Sequence, residues 1–157
     1  MKTMLELLEN DSTLTPEQLA VMIGGSAEEI KAQIRQYEKD GVIVGYKTLI
    51  DWDKTERSTV SALIECKVVP QIDRGFDEIA ERICNYPEVE SVYLMSGGFD
   101  LAVMVEGKTL KEVAQVGAAK LSTMEGVTGT ATHFLLRKYK DKNTIYRRVE
   151  VDERGNM

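Results

Sequence analysis

The sequence predicts an α+β protein: an N-terminal helix-turn-helix domain followed by a C-terminal ferredoxin-like βαββαβ domain. Three observations carry this. Residues 4–41 place apolar side chains at helical spacing between capping signals and glycines. Residues 59–139 alternate β-branched segments with two helical ones, in the order β-α-β-β-α-β. A polar stretch, Asp51–Arg57, separates the two regimes. The expected organisation is a helix-turn-helix domain over 1–50, a linker over 51–58, a ferredoxin-like domain over 59–140, and a C-terminal extension over 141–157.

In the first helix Met4, Leu5 and Leu8 share one face, and Asn10-Asp11-Ser12 ends it. The second opens at Thr15-Pro16-Glu17-Gln18. Thr15 is the N-cap, Pro16 suits the first helical position, and Gln18 completes a capping box. Leu14 and Leu19 form the matching hydrophobic staple. Gly24-Gly25 stops this helix, and Ser26 to Glu29 is a second capping box that starts the third. Ile30, Ile34 and Tyr37 share that helix's apolar face, and Gly41 ends it. Val42–Ile50 is β-branched and reads as a strand or small hairpin. Trp52 reads as a packed anchor or, alternatively, a stacking platform.

In the second half Thr59–Val69 is strand-like and ends at Pro70. Phe76, Ile79, Ala80 and Ile83 mark a helix stopped before Pro87. Val89–Met95 and Phe99–Val105 form a hairpin about Ser96-Gly97-Gly98. Lys108–Leu121 is helical, with Leu110, Val113, Ala114, Gly117 and Leu121 facing in, and Val127–Tyr139 is the last strand. The strands are apolar on both faces, which predicts burial on both faces and a homodimer through the sheet.

The chain has 157 residues with 20 Lys+Arg, 26 Asp+Glu and a net charge of −6. This excludes a protein that coats nucleic acid by bulk charge. No apolar run is long enough to span a bilayer, and no secretory signal precedes the first helix, so no membrane partner and a cytoplasmic location are expected. Cys66 and Cys84 lack a metal or disulfide spacing, and the single His133 gives no catalytic triad. No metal, no cofactor and no enzymatic activity are expected.

The charge is uneven. Residues 1–57 hold 7 bases and 11 acids, and residues 58–136 hold 6 and 11. Residues 137–157 hold 7 and 4. The basic run Arg137, Lys138, Lys140, Lys142, Arg147, Arg148 is either a solvated edge strand protected from pairing or an anion contact.

In a helix-turn-helix the last helix enters the major groove. Its residues off the apolar face are Ala27, Glu28, Lys31, Ala32 and Arg35. Ser26, Ala27, Lys31 and Arg35 are therefore the candidate DNA contacts, with Lys47 from the following segment; a plain three-helix packing unit is the alternative. In the second domain, Gly97 and Gly98 allow close backbone approach and Asp100 can take an ammonium group. Alternatively, Asp100 caps an ordinary turn. Thr128, Thr130 and Thr132 share one strand face, as pocket hydroxyls or as plain strand residues. His133 lies on the other face and reads as a half-buried, hydrogen-bonded side chain.

Taken together, Leu19-Ala20-Val21-Met22-Ile23-Gly24, the run Tyr37–Tyr46, Gly97–Leu101 and Gly126–Thr132 resemble motifs of the Lrp/AsnC transcription regulators. The resemblance covers residues 3–140. It implies double-stranded DNA as partner, and homodimers assembling into octameric discs or rings. It also implies an amino acid or small-metabolite effector bound between dimers near Gly97, Gly98, Asp100, Thr130 and Thr132. The sequence departs from the family in the third helix, usually rich in Arg and Ser/Thr, which here holds Glu28 and Glu29, in a first helix expected to begin almost at Met1 with little of the family's N-terminal extension, and at Glu125, where Pro is usual. The acidic third helix keeps a second reading open: a metabolite sensor or interaction module with weak or no DNA binding.

Overall fold

The structure is a computed structural model describing residues 3–69 and 75–146. Two compact units divide the chain, Met1–Ile50 and Asp51–Met157. Pro70, Arg147 and Arg148 lie outside the described residues.

The first unit has three helices, α1 (Met4–Asn10), α2 (Pro16–Ile23) and α3 (Ala27–Lys39). Each begins with a complete capping box: Thr3 with Glu6, Thr15 with Gln18 and Ser26 with Glu29. The three helices are short, so capping the free first-turn amides weighs heavily in their stability. Gly24 and Gly25 have φ of +87° and +93°, backbone that L side chains rarely adopt, and they turn the chain from α2 into α3. Met4, Leu8, Leu19 and Ile30 form the core, with Leu14, Ile34, Tyr37 and Ile43 against it.

Val42–Ile50 forms no strand among the described residues, contrary to the expected strand or hairpin; the Val42 and Ile43 amides bond back to the Tyr37 carbonyl instead. A strand needs an edge to bond to, and the three helices of this unit offer none. Val44 is 93% exposed, and Tyr46, Leu49 and Ile50 are also exposed. The segment is tied back at Tyr46, whose hydroxyl donates to Glu38 at 3.0 Å.

The second unit has β1 (Val60–Val68), α4 (Asp77–Cys84), β2 (Val89–Leu94), β3 (Leu101–Gly107), α5 (Leu110–Gln115) and β4 (Val127–Phe134). The sheet order is β2-β3-β1-β4, with every neighbouring pair antiparallel. This is the ferredoxin-like βαββαβ arrangement. Ala62, Ile64, Cys66 and Val68 of β1 and Leu101, Val103 and Val105 of β3 point into the helical layer, against Ile79, Ile83, Val113 and Val116. On the opposite face lie Leu63 and Met104, half-buried, and the exposed Tyr93.

The last helix differs from expectation. After α5 the chain widens into a π-helical segment, Val116–Leu121, and the Ser122 amide bonds back to the Gly117 carbonyl at 2.9 Å. The extra residue rotates the phase. The inward set is Val113, Val116, Gly117 and Leu121, whereas Leu110 and Ala114 are exposed.

β4 ends at Phe134 rather than Tyr139. A second small sheet follows, β5 (Lys140–Asp141) with β6 (Thr144–Ile145), turning through Lys142 and Asn143 at φ 45° and 63°. Two successive positive φ values define the hairpin turn that matches strand twist. Trp52 sits half-buried in a 3-10 turn, Trp52–Lys54, with the Arg57 guanidinium 4.2 Å from its ring. Arg57 also bonds Glu106 of β3 at 3.2 Å. No helix among the described residues is long and apolar enough to cross a membrane.

Candidate functional site

Two groups of predicted residues occupy two different units. The first lies on α3. Lys31 and Arg35 are one turn apart, both exposed, and neither forms an ion pair among the described residues. Lys31 does act through space on Glu17. That carboxyl is held below its ordinary value chiefly by its own backbone amide, then by the Thr15 hydroxyl, with Lys31 a smaller cause.

Ser26 is fully engaged. Its amide donates to Glu29 Oε2 at 2.8 Å, its hydroxyl donates to the same oxygen at 2.9 Å, and the Glu29 amide donates to the hydroxyl at 3.3 Å. These bonds hold the Glu29 carboxyl below the usual carboxylate range, the Ser26 amide being the larger cause. The free donors at this helix start are thus the amides beyond Ser26, at Ala27 and Glu28. Ala27 is half-buried. Lys47 is exposed on the unpaired segment after α3.

The second group lies at one end of the sheet. Residues 95–100 connect β2 to β3, closed by the Met95 amide on the Asp100 carbonyl at 2.7 Å. The Asp100 amide bonds Cys66 of β1 at 3.0 Å, and Asp100 Oδ2 accepts the Val68 amide at 2.8 Å. Asp100 therefore caps the end of β1 with one carboxylate oxygen. Gly97 and Gly98 are exposed, neither has positive φ, and a Cβ on either would meet nothing within 4 Å. Nothing inside the chain requires glycine there.

On β4, Thr130 pairs with Cys66 and Thr132 with Ile64, so both threonines face the helical layer. Both are half-buried. Thr132 Oγ1 lies 2.8 Å from where a Cβ on Gly117 would stand, so the threonine packs directly under the π segment. The Thr128 hydroxyl donates to the Lys67 carbonyl at 3.2 Å. Cys66 separates Asp100 from Thr130, which places the glycine loop and Thr130 roughly 10 Å apart, two strand spacings. Thr132 is two residues further from that end.

His133 is exposed, not half-buried; its Nε2 lies 3.4 Å from Glu65 Oε1 across the open sheet face. Among the described residues of this unit no layer covers that face, and the ring is exposed. Cys66 is buried, and burial pushes its thiol up to about 11, which leaves it unreactive, whereas Cys84 is exposed.

A cleft of about 720 Å³ opens at the other end of the sheet and contains none of these residues. Ser58, Pro87, Glu90, Glu106, Lys108 and Glu112 are among its walls. They come from four separate stretches, Glu90 on β2, Glu106 on β3 and Glu112 on α5 among them, so no local motif in the sequence announces it. Beside it Lys120 pairs with Glu88 and lies 5.2 Å from the Tyr86 ring.

Comparison with known proteins places this architecture. Residues 61–145 match the model of the Lrp/AsnC ligand binding domain. An uncharacterized HTH-type transcriptional regulator of Bacillus subtilis, YugG, is 43% identical over 151 residues, 96% of this chain and 91% of its own length. A proline dehydrogenase transcriptional activator of Rhodobacter capsulatus is 24% identical over 127 residues, 81% of this chain and 82% of its own. Among solved structures, a Neisseria meningitidis transcriptional regulator in complex with L-Met superposes with a TM-score of 0.69 at 20% identity, covering 87% of this chain and 88% of that one. Escherichia coli AsnC gives 0.65 at 19% identity, with 92% of each chain covered.

Proposed function

The chain belongs to the Lrp/AsnC family of transcription regulators, and from that membership we propose that it is a sequence-specific DNA-binding protein whose oligomer responds to an amino acid or a related small metabolite. It is a regulator and not an enzyme.

In this reading α2 and α3 are the helix-turn-helix, and α3 lies in the major groove. The observation that carries it is the pair Lys31 and Arg35, exposed one turn apart on the face of α3 away from its core residue Ile30. The amides beyond Ser26 face a phosphate, and Lys47 adds a further contact. Glu28 and Glu29 stand close by, and Glu29 is spent on its cap. DNA affinity per helix is therefore modest, and a homodimer assembling toward an octamer multiplies it by presenting several helices at once.

The effector sits at the glycine loop. Gly97 and Gly98 are needed neither for a positive φ nor for internal packing, which fits a backbone kept bare for an incoming molecule. The free oxygen of Asp100 suits an ammonium group, and Thr130 and Thr132 line the neighbouring strand. The L-Met complex of the Neisseria regulator, a protein of the same fold, supports an amino acid as the ligand class. Gly97 and Gly98 are exposed in the single chain, in keeping with a site completed by a second dimer. An effector that binds one assembly better than another shifts their balance and re-spaces the helices along DNA.

The test is a mobility shift on duplex DNA from the region upstream of the chain's own coding sequence. Binding is expected at about 50 mM salt and should weaken steeply as salt rises. No shift under these conditions, with or without an amino-acid panel, overturns the DNA reading. Thermal stabilisation by an amino acid without any DNA binding would instead favour a metabolite sensor, the reading that acidic Glu28 and Glu29 on α3 support.

A further inference from the structure

The strongest charged feature outside these two groups is the β5–β6 hairpin and the residues leading into it. Over residues 137–146 the chain carries Arg137, Lys138, Lys140 and Lys142 against Asp141 alone. Lys138 pairs with Asp141 at 3.6 Å and lies 5.1 Å from the Tyr146 ring. The Arg137 guanidinium lies 4.7 Å from the Tyr139 ring. Arg137, Lys140 and Lys142 face no carboxylate within ion-pair distance among the described residues, and all three are exposed. The hairpin is an ordered element: Lys140 pairs with Ile145, Asp141 with Thr144, and the Tyr146 amide bonds the Tyr139 carbonyl at 3.0 Å.

Protection of an open strand edge explains lysines on a long strand, which is a template for unwanted pairing. These strands have two residues each and offer little edge to protect. The cations do not converge on a hollow either: Lys140 lies on a strand, Lys142 on the turn, Arg137 before both, and the large cleft lies elsewhere. Charges strung along a ridge suit an extended polyanion, and a small anion would need them gathered. The rest of the chain is acidic, so the ridge stands out as the place where a polyanion is attracted.

We propose that the β5–β6 hairpin is a second, sequence-independent contact to duplex DNA, with Arg137, Lys140 and Lys142 set against the phosphate backbone. It rests on the regulator reading above and adds to it a surface outside the helix-turn-helix. Such contacts supply affinity and salt dependence, and base contacts on α3 supply the choice of sequence. The hairpin thereby offsets the weak electrostatics of an α3 that carries Glu28 and Glu29.

The test compares the full-length protein with R137Q/K140Q/K142Q and with K31Q/R35Q. Each is titrated, from roughly 50 to 200 mM salt, with the upstream duplex and with a scrambled duplex of equal length. The triple variant is expected to weaken binding to both duplexes by a similar factor. Its log K against log salt slope should fall by about 2 to 3, one step of about 0.9 for each lost phosphate contact. K31Q/R35Q should weaken the upstream duplex more than the scrambled one. A wild-type protein that binds, with a triple variant of unchanged slope, overturns the hairpin contact and leaves the regulator reading standing. A wild-type protein that binds neither duplex removes both.

A second measurement needs no variant. Acetylation of wild-type Lys140 and Lys142 by a soluble reagent, followed by peptide mass spectrometry, should slow when DNA is added, with exposed Lys111 of α5 as the internal reference. Equal rates with and without DNA overturn the proposal. So does protection by phosphatidylserine vesicles where DNA gives none, which would assign the ridge to a membrane surface.

Discussion

Among the described residues the N-terminal unit buries four apolar side chains and the sheet unit thirteen in its main cluster. The small unit compensates with local bonds. All three of its helices carry reciprocal capping boxes, whereas α4 has no side-chain cap at all. The sheet unit is held by pairings between residues far apart in sequence, such as Ala62 with Val105 and Ile64 with Thr132. A core of four side chains removes little apolar surface, so the N-terminal unit is expected to open first. Replacing one core residue in each unit tests this most directly. Leu19 and Ile64 are both fully buried, and truncating either to Ala is expected to cost about 2–5 kcal/mol. Leu19→Ala should unfold the first fifty residues and abolish DNA binding while the sheet unit keeps its thermal transition. Ile64→Ala should lower that transition. If Leu19→Ala lowers both transitions equally in calorimetry, the two units are one cooperative body and the contrast is broken.

The next largest effect concerns how tightly the sheet unit is packed. Gly117 is buried in the π segment, and an added Cβ would stand 2.8 Å from Thr132 Oγ1 and 3.5 Å from Ile64 Cδ1. Thr132 has a short, β-branched side chain on β4, an edge strand, but its side chain faces the helical layer, where it has little room to swing away. Gly117→Ala is expected to destabilise by about 1–3 kcal/mol in denaturant unfolding. Removing the obstacle in the Gly117→Ala/Thr132→Ala double variant should return part of that loss. A double variant whose two costs simply add would show that the strain is not shared between these residues.

The same contrast explains which features could be read from the sequence. Helix starts at Thr15 and Ser26 were legible because the capping box is a four-residue signal, and Thr3 with Glu6 carries the same signal and forms the same box. The order of strands and helices was legible from hydrophobic period. The phase of α5 was not, because the π turn sits where Gly117 packs on Thr132, fifteen residues away in sequence, a contact no local pattern shows. Val42–Ile50 has strand composition, but composition cannot supply a neighbouring edge. The β5–β6 turn needs positive φ at Lys142 and Asn143, and only the asparagine hints at it. At the candidate site, the glycine loop was legible as a loop. That Asp100 caps the Val68 amide required knowing that β1 ends beside it.

Smaller effects follow from the caps themselves. Thr15→Ala removes the hydroxyl that accepts the Gln18 amide at 3.2 Å and is expected to cost about 0.5–2 kcal/mol. Thr109 caps α5 in the sheet unit by accepting the Glu112 amide at 3.1 Å. Helix α5 also runs on into the π segment, which adds buried Val116, Gly117 and Leu121 to its own Val113, whereas α2 buries Leu19 alone. Thr109→Ala should therefore shift the melting of its unit less than Thr15→Ala shifts the melting of the small one. Equal shifts would mean that local bonds matter no more in the first unit than in the second.

Acid should act on the same difference more gently still. Three exposed carboxylates of the first unit are held below their ordinary values: Asp11 by the Thr13 hydroxyl and then its amide, Glu17 by its own amide and then the Thr15 hydroxyl, and Glu29 by the Ser26 amide and then its hydroxyl. In the sheet unit Glu88 is shifted the same way, chiefly by Lys120. A carboxyl whose folded value lies below its unfolded one stabilises the fold above the unfolded value, here 3.8 for Asp and 4.5 for Glu. That stability fades as pH drops through the lower, folded value. Between pH 7 and 5 the melting of the first unit should stay level, and below about pH 4.5 it should fall, ahead of the sheet unit. Protonating Glu29 weakens its bonds from Ser26 and loosens the first turn of α3, the helix proposed to meet DNA. Melting of the two units recorded from pH 7 to pH 3 reads this directly, and a parallel decline would mean that the capping carboxylates do not set the acid limit of the helical unit.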